Sequence, residues 1–313
     1  FLIRAFVTEG PHAMSATTSS LPAPGAPAVE AAATSSILGQ LKTTMSAWPA
    51  MLAIALLSLL LVGTIFAPWL GTMDPTLMDP AIRLKPMSAE HWLGTDAYGR
   101  DVYSRTLFGA RVSLAVGLGA VVASLLAGLV LGILAGYFKS ADTVIMRFLD
   151  GVMAIPGILL AIALVSLSGA SLFTVLVAIS IPEIPRVARM VRSVILSVRN
   201  EPYVEAAVSL GTRVPVLVLR HMLPNTYAPL IVQGTYIFAA AILTESVLSF
   251  LGAGIPPETP SWGNVMAEGR VYFQMLPGLI LYPGLLLSLT VLSVNILGDA
   301  LRDALDPRFS RRF

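Results

Sequence analysis

The stretch EAAVSLGTRVPVLVLRHMLPN, residues 205–225, differs from the sequence on either side of it. Its neighbours are long apolar runs with few charges, whereas this segment opens with a glutamate and two alanines. It also carries Arg213 and Arg220 and closes with Leu-Pro-Asn. The segment is therefore a polar loop between two apolar runs.

Local signals predict two short helices in this segment. Asn200 can cap a first helix that has Pro202 in its first turn, and Gly211 can adopt the left-handed conformation that ends it. A second helix is expected over residues 212–221, because Pro224 disfavours helix in the residue before it. The small alanines leave a thin ridge that fits a groove on another protein. The alternative is an amphipathic connector held at the lipid surface by its arginines.

Composition indicates a membrane protein. Of 313 residues, 56% are hydrophobic and 12% are charged, against about 25% charged in soluble domains, and the mean hydropathy is +0.79. A net charge of +2 gives no nucleic-acid surface. There is no cysteine, and the three histidines (His12, His91 and His221) are far apart, so we expect no disulfide and no metal site.

Six apolar runs are long enough to cross a bilayer, which takes about 20 helical residues. The predicted spans cover residues 48–70, 112–138, 146–168, 172–194, 228–251 and 275–297. The segment before them is rich in Ala, Ser, Thr and Pro and is predicted to be disordered. The predicted organisation is a disordered segment (1–45), a first transmembrane helix (46–71), an extracytoplasmic loop (72–111), a five-helix core with the loop 200–225 (112–297) and a cytoplasmic tail (298–313).

The distribution of arginines gives the orientation, because loops on the cytoplasmic side carry the excess of Lys and Arg. Ten arginines lie between the end of span four and span five or in the tail: Arg186, Arg189, Arg192, Arg199, Arg213, Arg220, Arg302, Arg308, Arg311 and Arg312. With six spans, both termini and the loop 200–225 then lie in the cytoplasm. The loop 72–111 is an exception to the rule, since it must face outward although it holds five basic residues.

Small residues and prolines interrupt the apolar runs. In span two a small residue recurs every fourth position (Ala120, Ser124, Gly128, Gly132 and Gly136), which allows another helix to approach closely. That helix belongs either to this subunit or to a neighbouring subunit. Prolines are predicted to break spans three, four and six, as cavity-lining or hinge helices require: Pro156, Pro182, Pro185, Pro277 and Pro283.

Charged residues within the predicted spans are candidate functional groups, because burying them is costly. Asp150 follows Arg147 by three residues, so we expect an ion pair on one helix face. Glu245 has no basic residue within one turn and is followed by Ser246 and Ser249. These groups are candidates for lining a translocation path or for an interhelical hydrogen bond, and Glu245 is also a candidate for relaying protons in a secondary transporter.

The segment 205–225 resembles the cytoplasmic coupling loop of bacterial ABC importer permeases. The likeness lies in the order and spacing of its parts. EAA is separated from Gly211 by three residues, Gly211 is separated from His221 by nine, and Leu223 and Pro224 follow. The common motif has an apolar residue where His221 stands, and RHMLPN is similar to the variant in the peptide/nickel subfamily. Three more stretches resemble the C-type subunit of that subfamily: HWLGTDAYGRDVYSRTLFGARVSLAVG (91–117), ILTESVLSFLGAGIPPETPSWGNV (242–265) and NILGDALRDALDP (295–307).

The resemblance covers residues 48–308 and implies the type I importer permease fold, with six transmembrane helices and a cytoplasmic coupling helix. The residues that it assigns to the contact with the ATPase are Glu205, Ala206, Ala207, Gly211, His221, Leu223 and Pro224. The outer loop would meet a substrate-binding protein through Gly94, Thr95, Asp96, Gly99, Arg100 and Asp101. The alternative for this outer loop is a surface loop whose polar groups satisfy each other.

The resemblance also implies a transport machine in the bacterial inner membrane. Its other members are a B-type permease, two ABC ATPases and an extracytoplasmic substrate-binding protein, with lipid around the spans. The chain has no GxxxxGK[ST] loop, so ATP and magnesium are expected on the ATPase subunits and this chain is not an enzyme. Dipeptides or oligopeptides are the expected cargo, and nickel, metal chelates, glutathione or opines are the alternatives. The rivals of another class are a proton-coupled secondary transporter and an intramembrane enzyme, for which no catalytic constellation is present.

Overall fold

The computed structural model describes residues 44–305 of the chain. This part is helical and contains no strand, only an isolated bridge between Thr95 and Asp101. The prediction of an all-α fold is therefore confirmed. Residues 1–43, which hold nearly all of the segment predicted to be disordered, and the last eight residues of the tail lie outside the described part.

Nine helices of eight or more residues occur between residues 44 and 305. In chain order they are α1 (Trp48–Ile65), α2 (Val102–Tyr137), α3 (Lys139–Met153), α4 (Gly157–Ser168), α5 (Leu172–Val198), α6 (Pro202–Ser209), α7 (Tyr227–Phe250), α8 (Trp262–Gly269) and α9 (Gly278–Leu305). Short 3-10 turns lie at Ala67–Trp69, Pro80–Ile82 and Arg270–Tyr272.

Four helical runs are long and apolar enough to cross a membrane: α1, α2, the run Val214–Phe250 that contains α7, and α9. The pair α3 and α4 gives a fifth if it counts as one span. Helix α5 has 27 residues, which is also long enough. Its second half, however, carries Arg186, Arg189 and Arg192, and Glu183 lies just before them, so its composition is less apolar than that of the other spans.

The predicted third span over residues 146–168 is not one helix. Helices α3 and α4 meet at an angle of 87°, and Pro156 stands at the break, where it precedes the first residue of α4. Proline favours extended backbone in the residue before it, which is consistent with a break in the helix at this point. Helix α4 has 12 residues, or about 18 Å, which is short of a hydrocarbon core of about 30 Å.

The predicted breaks in spans four and six are wrong. Helix α5 runs continuously through Pro182 and Pro185, and α9 runs through Pro283. Pro277 lies just before α9 begins. Neighbouring helices that pack on both sides hold a proline-containing helix together, and only the missing N–H bond is lost.

The glycine stripe of α2 packs against α5. A Cβ atom added at Gly132 would lie 2.6 Å from the Val191 Cβ, and one added at Gly136 would lie 2.7 Å from the Ile195 Cβ. Earlier in α2, the hydroxyl of Ser124 donates to the Ser180 carbonyl of the same helix α5 at 3.2 Å. Because the two backbones touch along this stripe, its role is packing within the subunit rather than contact with a neighbouring subunit.

Two boundaries differ from the predictions. Helix α2 begins at Val102, ten residues before the predicted start, because the Asp101 carboxylate caps it by accepting from the Ser104 N–H at 2.8 Å. Helix α9 continues to Leu305, past the predicted boundary at residue 297, so the first part of the predicted tail is helix.

Candidate functional site

Helix α6 forms the first part of the predicted coupling loop and ends as its sequence predicts. Gly211 adopts a left-handed φ of +75°. Its N–H donates to the Val208 carbonyl at 2.9 Å, and the Thr212 N–H donates to the Ala207 carbonyl at 3.1 Å. This is a Schellman motif, for which glycine is the favoured residue. The predicted cap is wrong by one residue, since Glu201 and not Asn200 occupies the N-cap position.

The two alanines of the motif lie on opposite faces of α6. Ala207 is 7% exposed and Val204 is 1% exposed, and both join a core cluster with Leu217. Glu205 and Ala206 are exposed to solvent. Helix α6 therefore exposes one face to solvent and packs the other against the hydrophobic core. The sequence reasoning assigned both alanines to the same contact and missed this division.

The second helix predicted over residues 212–221 is found in part: the chain is helical from Val214, but the helix does not stop before Pro224. The chain passes through Val214–Val216, a π-helix over Leu217–Met222 and a 3-10 turn over Leu223–Thr226, and then enters α7. Pro224 is tolerated because it stands in the first positions of the 3-10 turn, where its missing N–H has no partner to lose. Residues 214–250 thus form one helical run, so the loop is continuous with the fifth predicted span.

Polar contacts also bind α6 to this run. The Asn225 Nδ2 atom donates to the His221 carbonyl at 2.9 Å and to the Tyr203 hydroxyl at 3.2 Å. The Nδ1 atom of His221 is buried and has no hydrogen-bond partner among residues 44–305. Residues of α5, α6 and α7 share a single hydrophobic cluster, including Ile195 and Leu230. Helix α6 therefore shares one packed core with α5 and α7.

Glu245 is fully buried between helices. Its carboxylate accepts hydrogen bonds from Ser113 of α2 at 3.1 Å and from Ser249 at 2.9 Å, and Ser246 lies 3.5 Å away. Its relative exposure is 0%. Of the roles predicted for it, this geometry fits the interhelical anchor. The carboxylate does not face an open path within this subunit.

Asp150 does not pair with Arg147 as predicted. It pairs with Arg189 of α5, at 2.5 Å between carboxylate and guanidinium. Closer to the start of α3, Asp142 binds Arg192 through two contacts of 2.5 and 2.6 Å. The two ion pairs hold α3 against α5. Sequence spacing missed both, because the partners are 39 and 50 residues apart.

The outer loop is built around a buried charge cluster. Arg100 binds Asp96 at 2.7 Å and also contacts Glu268 of α8, and Arg105 binds Glu268 at 3.2 Å. Burial raises the pKa of Glu268, and the two guanidinium groups oppose this shift. Nearby, Asp101 lies 3.0 Å from the His91 ring. The cluster closes the loop onto a helix more than 160 residues further along the chain.

All six residues predicted to meet a binding protein are buried: Gly94, Thr95, Asp96, Gly99, Arg100 and Asp101. Their polar side chains are bonded to one another and to neighbouring residues: Thr95 donates to the Ile82 carbonyl, and Asp101 accepts from the Ser104 hydroxyl at 2.6 Å. This arrangement is compatible with the alternative prediction for the loop. The exposed side chains next to these residues include Trp92 and Tyr98, at 55% and 52%. If the loop contacts a partner, these neighbours and not the predicted residues are at its surface.

Helix α8 folds back into the helix bundle. Trp262 is fully buried, its ring N–H donates to the Thr106 carbonyl at 3.1 Å, and its backbone N–H donates to Ser113 at 3.3 Å. Asn264 closes the loop before it by donating to the carbonyl of Thr259 at 3.0 Å. The segment between the predicted fifth and sixth spans therefore contains a helix that packs against α2, α7 and α9 rather than a plain connector.

Residues 128–311 match the family model described as the binding-protein-dependent transport system inner membrane component. This match covers more than half of the chain. The chain belongs to this family. It is accordingly a membrane permease component of ABC transporters, as the resemblance of its motifs implied. Its multi-pass character agrees with the four or five apolar helices described above.

Several curated relatives are similar over most of this permease. A probable peptide ABC transporter permease of Sinorhizobium fredii is 52% identical over 239 residues, which are 76% of this chain and 82% of the relative. A dipeptide transport system permease of Alkalihalophilus pseudofirmus is 42% identical, covering 83% of this chain and 86% of the relative. A glutathione transport system permease of Escherichia coli is 41% identical, with the same coverage.

Proposed function

We propose that this chain is one of two permease subunits of an ATP-driven importer that carries dipeptides or oligopeptides into the cytoplasm. A B-type permease, two ABC ATPases and an extracytoplasmic substrate-binding protein complete the machine. ATP and magnesium bind to the ATPases, and cargo passes between the two permeases. Membership of the family and the peptide names of two relatives support this proposal.

The exposed face of α6 is the observation that carries the proposal. A helix of eight residues presents Glu205 and Ala206 outward while Ala207 fixes it to a core shared with α5 and α7. Such a helix can be pushed by a partner without deforming, because its other face is packed. In this proposal the partner is an ATPase, and Gly211, His221, Leu223 and Pro224 shape the loop that presents the helix.

Six spans with both termini in the cytoplasm give the proposed topology. The spans are α1, α2, the bent pair α3 and α4, α5, the run containing α7, and α9. The charges in the second half of α5 are compatible with a span because three of them are paired: Arg186 with Glu183, Arg189 with Asp150 and Arg192 with Asp142. With this topology α6 lies in the cytoplasm, and the cluster around Glu268 lies outside.

Glutathione is the second candidate cargo, because one relative at 41% identity is named for its transport. Glutathione is itself a small peptide, so the same machine would serve. A proton-coupled carrier fits less well, because the Glu245 carboxylate is enclosed by serine hydroxyls. A mechanism of that kind would also give α6 no role. The cargo is identified by analysing what the co-purified binding protein holds.

Two substitutions in the coupling loop test the proposal. Gly211→Pro forces a φ near −65° where the chain needs +75°, and Glu205→Lys reverses the charge on the exposed face. Both variants should enter the membrane normally, while ATP-driven uptake in proteoliposomes falls at least tenfold by loss of the ATPase contact. Glu90→Lys, an exposed charge reversal on the outer loop, is the matched control and should transport normally. Normal uptake by the Glu205 variant would refute the coupling role.

A further inference from the structure

A cleft of about 490 Å³ separates the outer loop from α8 and the turn that follows it. Its lining combines basic, aromatic and apolar side chains: Met78, Arg83, Tyr98, Glu268, Arg270 and Tyr272. The cleft opens beside the buried cluster around Glu268 rather than along the membrane helices. It is therefore formed by segments that the proposed topology places outside the bilayer.

The cleft and its floor carry a positive surplus. Arg83 and Arg270 line it, and Arg100 and Arg105 lie beneath it, against the two carboxylates of Asp96 and Glu268. These four arginines and two carboxylates leave a formal surplus of two positive charges. Both carboxylates are already bound by arginines. Arg83 is exposed and forms no hydrogen bond or ion pair within residues 44–305.

Apolar side chains surround this charge. Tyr98 is 52% exposed, and the guanidinium of Arg100 lies 4.6 Å from its ring centroid. Val271 is 75% exposed and Met78 is 51% exposed. Exposed Tyr and Met beside Arg form the composition that protein interfaces favour, because aromatic and Arg side chains dominate binding energy in desolvated pockets.

We propose that an acidic segment of the substrate-binding protein docks in this cleft, with Arg83 and Arg270 receiving its carboxylates and Tyr98 packing against its side. The proposal rests on the proposed function and names the contact surface of that partner. A second permease subunit is the less suitable occupant, because it would pack along the apolar spans, and an uncompensated positive charge suits a water-soluble acidic partner. The predicted docking residues of the outer loop then serve to hold this cleft in shape.

The position of the cleft gives docking a mechanical consequence. A segment bound there contacts both the outer loop and α8, which Arg100 and Glu268 join to each other. Helix α8 in turn reaches Ser113 and the carbonyl of Thr106 in α2 through Trp262. Docking therefore loads α8, which packs directly against the membrane helix α2.

The test is the stimulation of ATP hydrolysis by the binding protein in the complete reconstituted transporter, with the binding protein that co-purifies with it. Arg83→Glu should raise the half-saturating concentration of the binding protein about tenfold at low ionic strength. Added salt should reduce this difference between the variant and the wild type. Lys85→Glu, an exposed charge reversal on the same loop outside the cleft, should change it by less than about twofold. An acid-to-lysine substitution in the binding protein should return the half-saturating concentration measured with the Arg83 variant towards the wild-type value.

Equal effects of the two reversals would overturn the cleft as the docking site. So would a loss of basal hydrolysis in the Arg83 variant, since that would assign the cleft to assembly. If wild-type hydrolysis is not stimulated at all, the proposed function fails instead, and the two failures are thus distinguished.

A photo-cross-linker gives a second measurement that does not depend on charge. Placed at Val271 it should capture the binding protein, while at Trp48, which is equally exposed at 74% on the proposed cytoplasmic side, it should not. Capture of the second permease at Val271 would refute the proposal.

Discussion

Replacing Glu245 with alanine removes the acceptor that joins α2 to α7. The carboxylate receives hydroxyl hydrogen bonds from Ser113 and Ser249 at 3.1 and 2.9 Å. The Ser113 bond joins α2 to α7, whereas the Ser249 bond lies within α7. With each bond contributing about 1–2 kcal/mol, the variant should lose about 2–4 kcal/mol of folding free energy. At about 2–4 °C per kcal/mol, the thermal midpoint of the purified transporter should fall by about 4–16 °C.

Glu245→Gln is the matched variant. Glutamine keeps the shape and one carbonyl oxygen, and its amide group can donate to a serine hydroxyl, which both donates and accepts. The glutamine variant should therefore remain near wild type in thermal midpoint and in ATP-driven uptake. The measurements are thermal denaturation in detergent and peptide uptake in proteoliposomes at several pH values.

Two results would contradict this reasoning. A glutamine variant that is stable but has lost both uptake and the pH dependence of uptake would make the carboxylate a proton carrier. An alanine variant with an unchanged midpoint would show that the hydroxyl contacts contribute nothing to stability. Either outcome would reassign Glu245.

Two further substitutions compare positions that sequence alone treats as equivalent. Ala206→Trp should leave the thermal midpoint unchanged and abolish stimulation of ATP hydrolysis, because Ala206 is at the surface. Ala207→Trp should lower the thermal midpoint, because Ala207 is 7% exposed. The reverse result would show that Ala207, and not Ala206, lies on the exposed face of α6. Gly132→Ala should destabilise by about 1–3 kcal/mol, since the new Cβ would lie 2.6 Å from the Val191 Cβ. Gly151→Ala, with nothing within 4 Å, should stabilise by up to about 1 kcal/mol, and equal shifts in denaturation would refute the packing argument.

The sequence by itself determined the features that depend on neighbours along the chain. Apolar length identified most of the membrane helices, and the glycine after α6 predicted the left-handed turn at Gly211. Four-residue spacing identified the small face of α2. These signals are local, because a helix places residues three or four apart on one face and a positive φ favours glycine.

Only the tertiary structure decided which distant groups meet. Asp150 pairs with Arg189, 39 residues away, rather than with Arg147. Glu268 joins two arginines of the outer loop that lie more than 160 residues before it. The sequence also could not tell Ala206 from Ala207. Which side of α6 is buried depends on where the helices around it pack, and helical spacing gives relative faces but not the direction of the core.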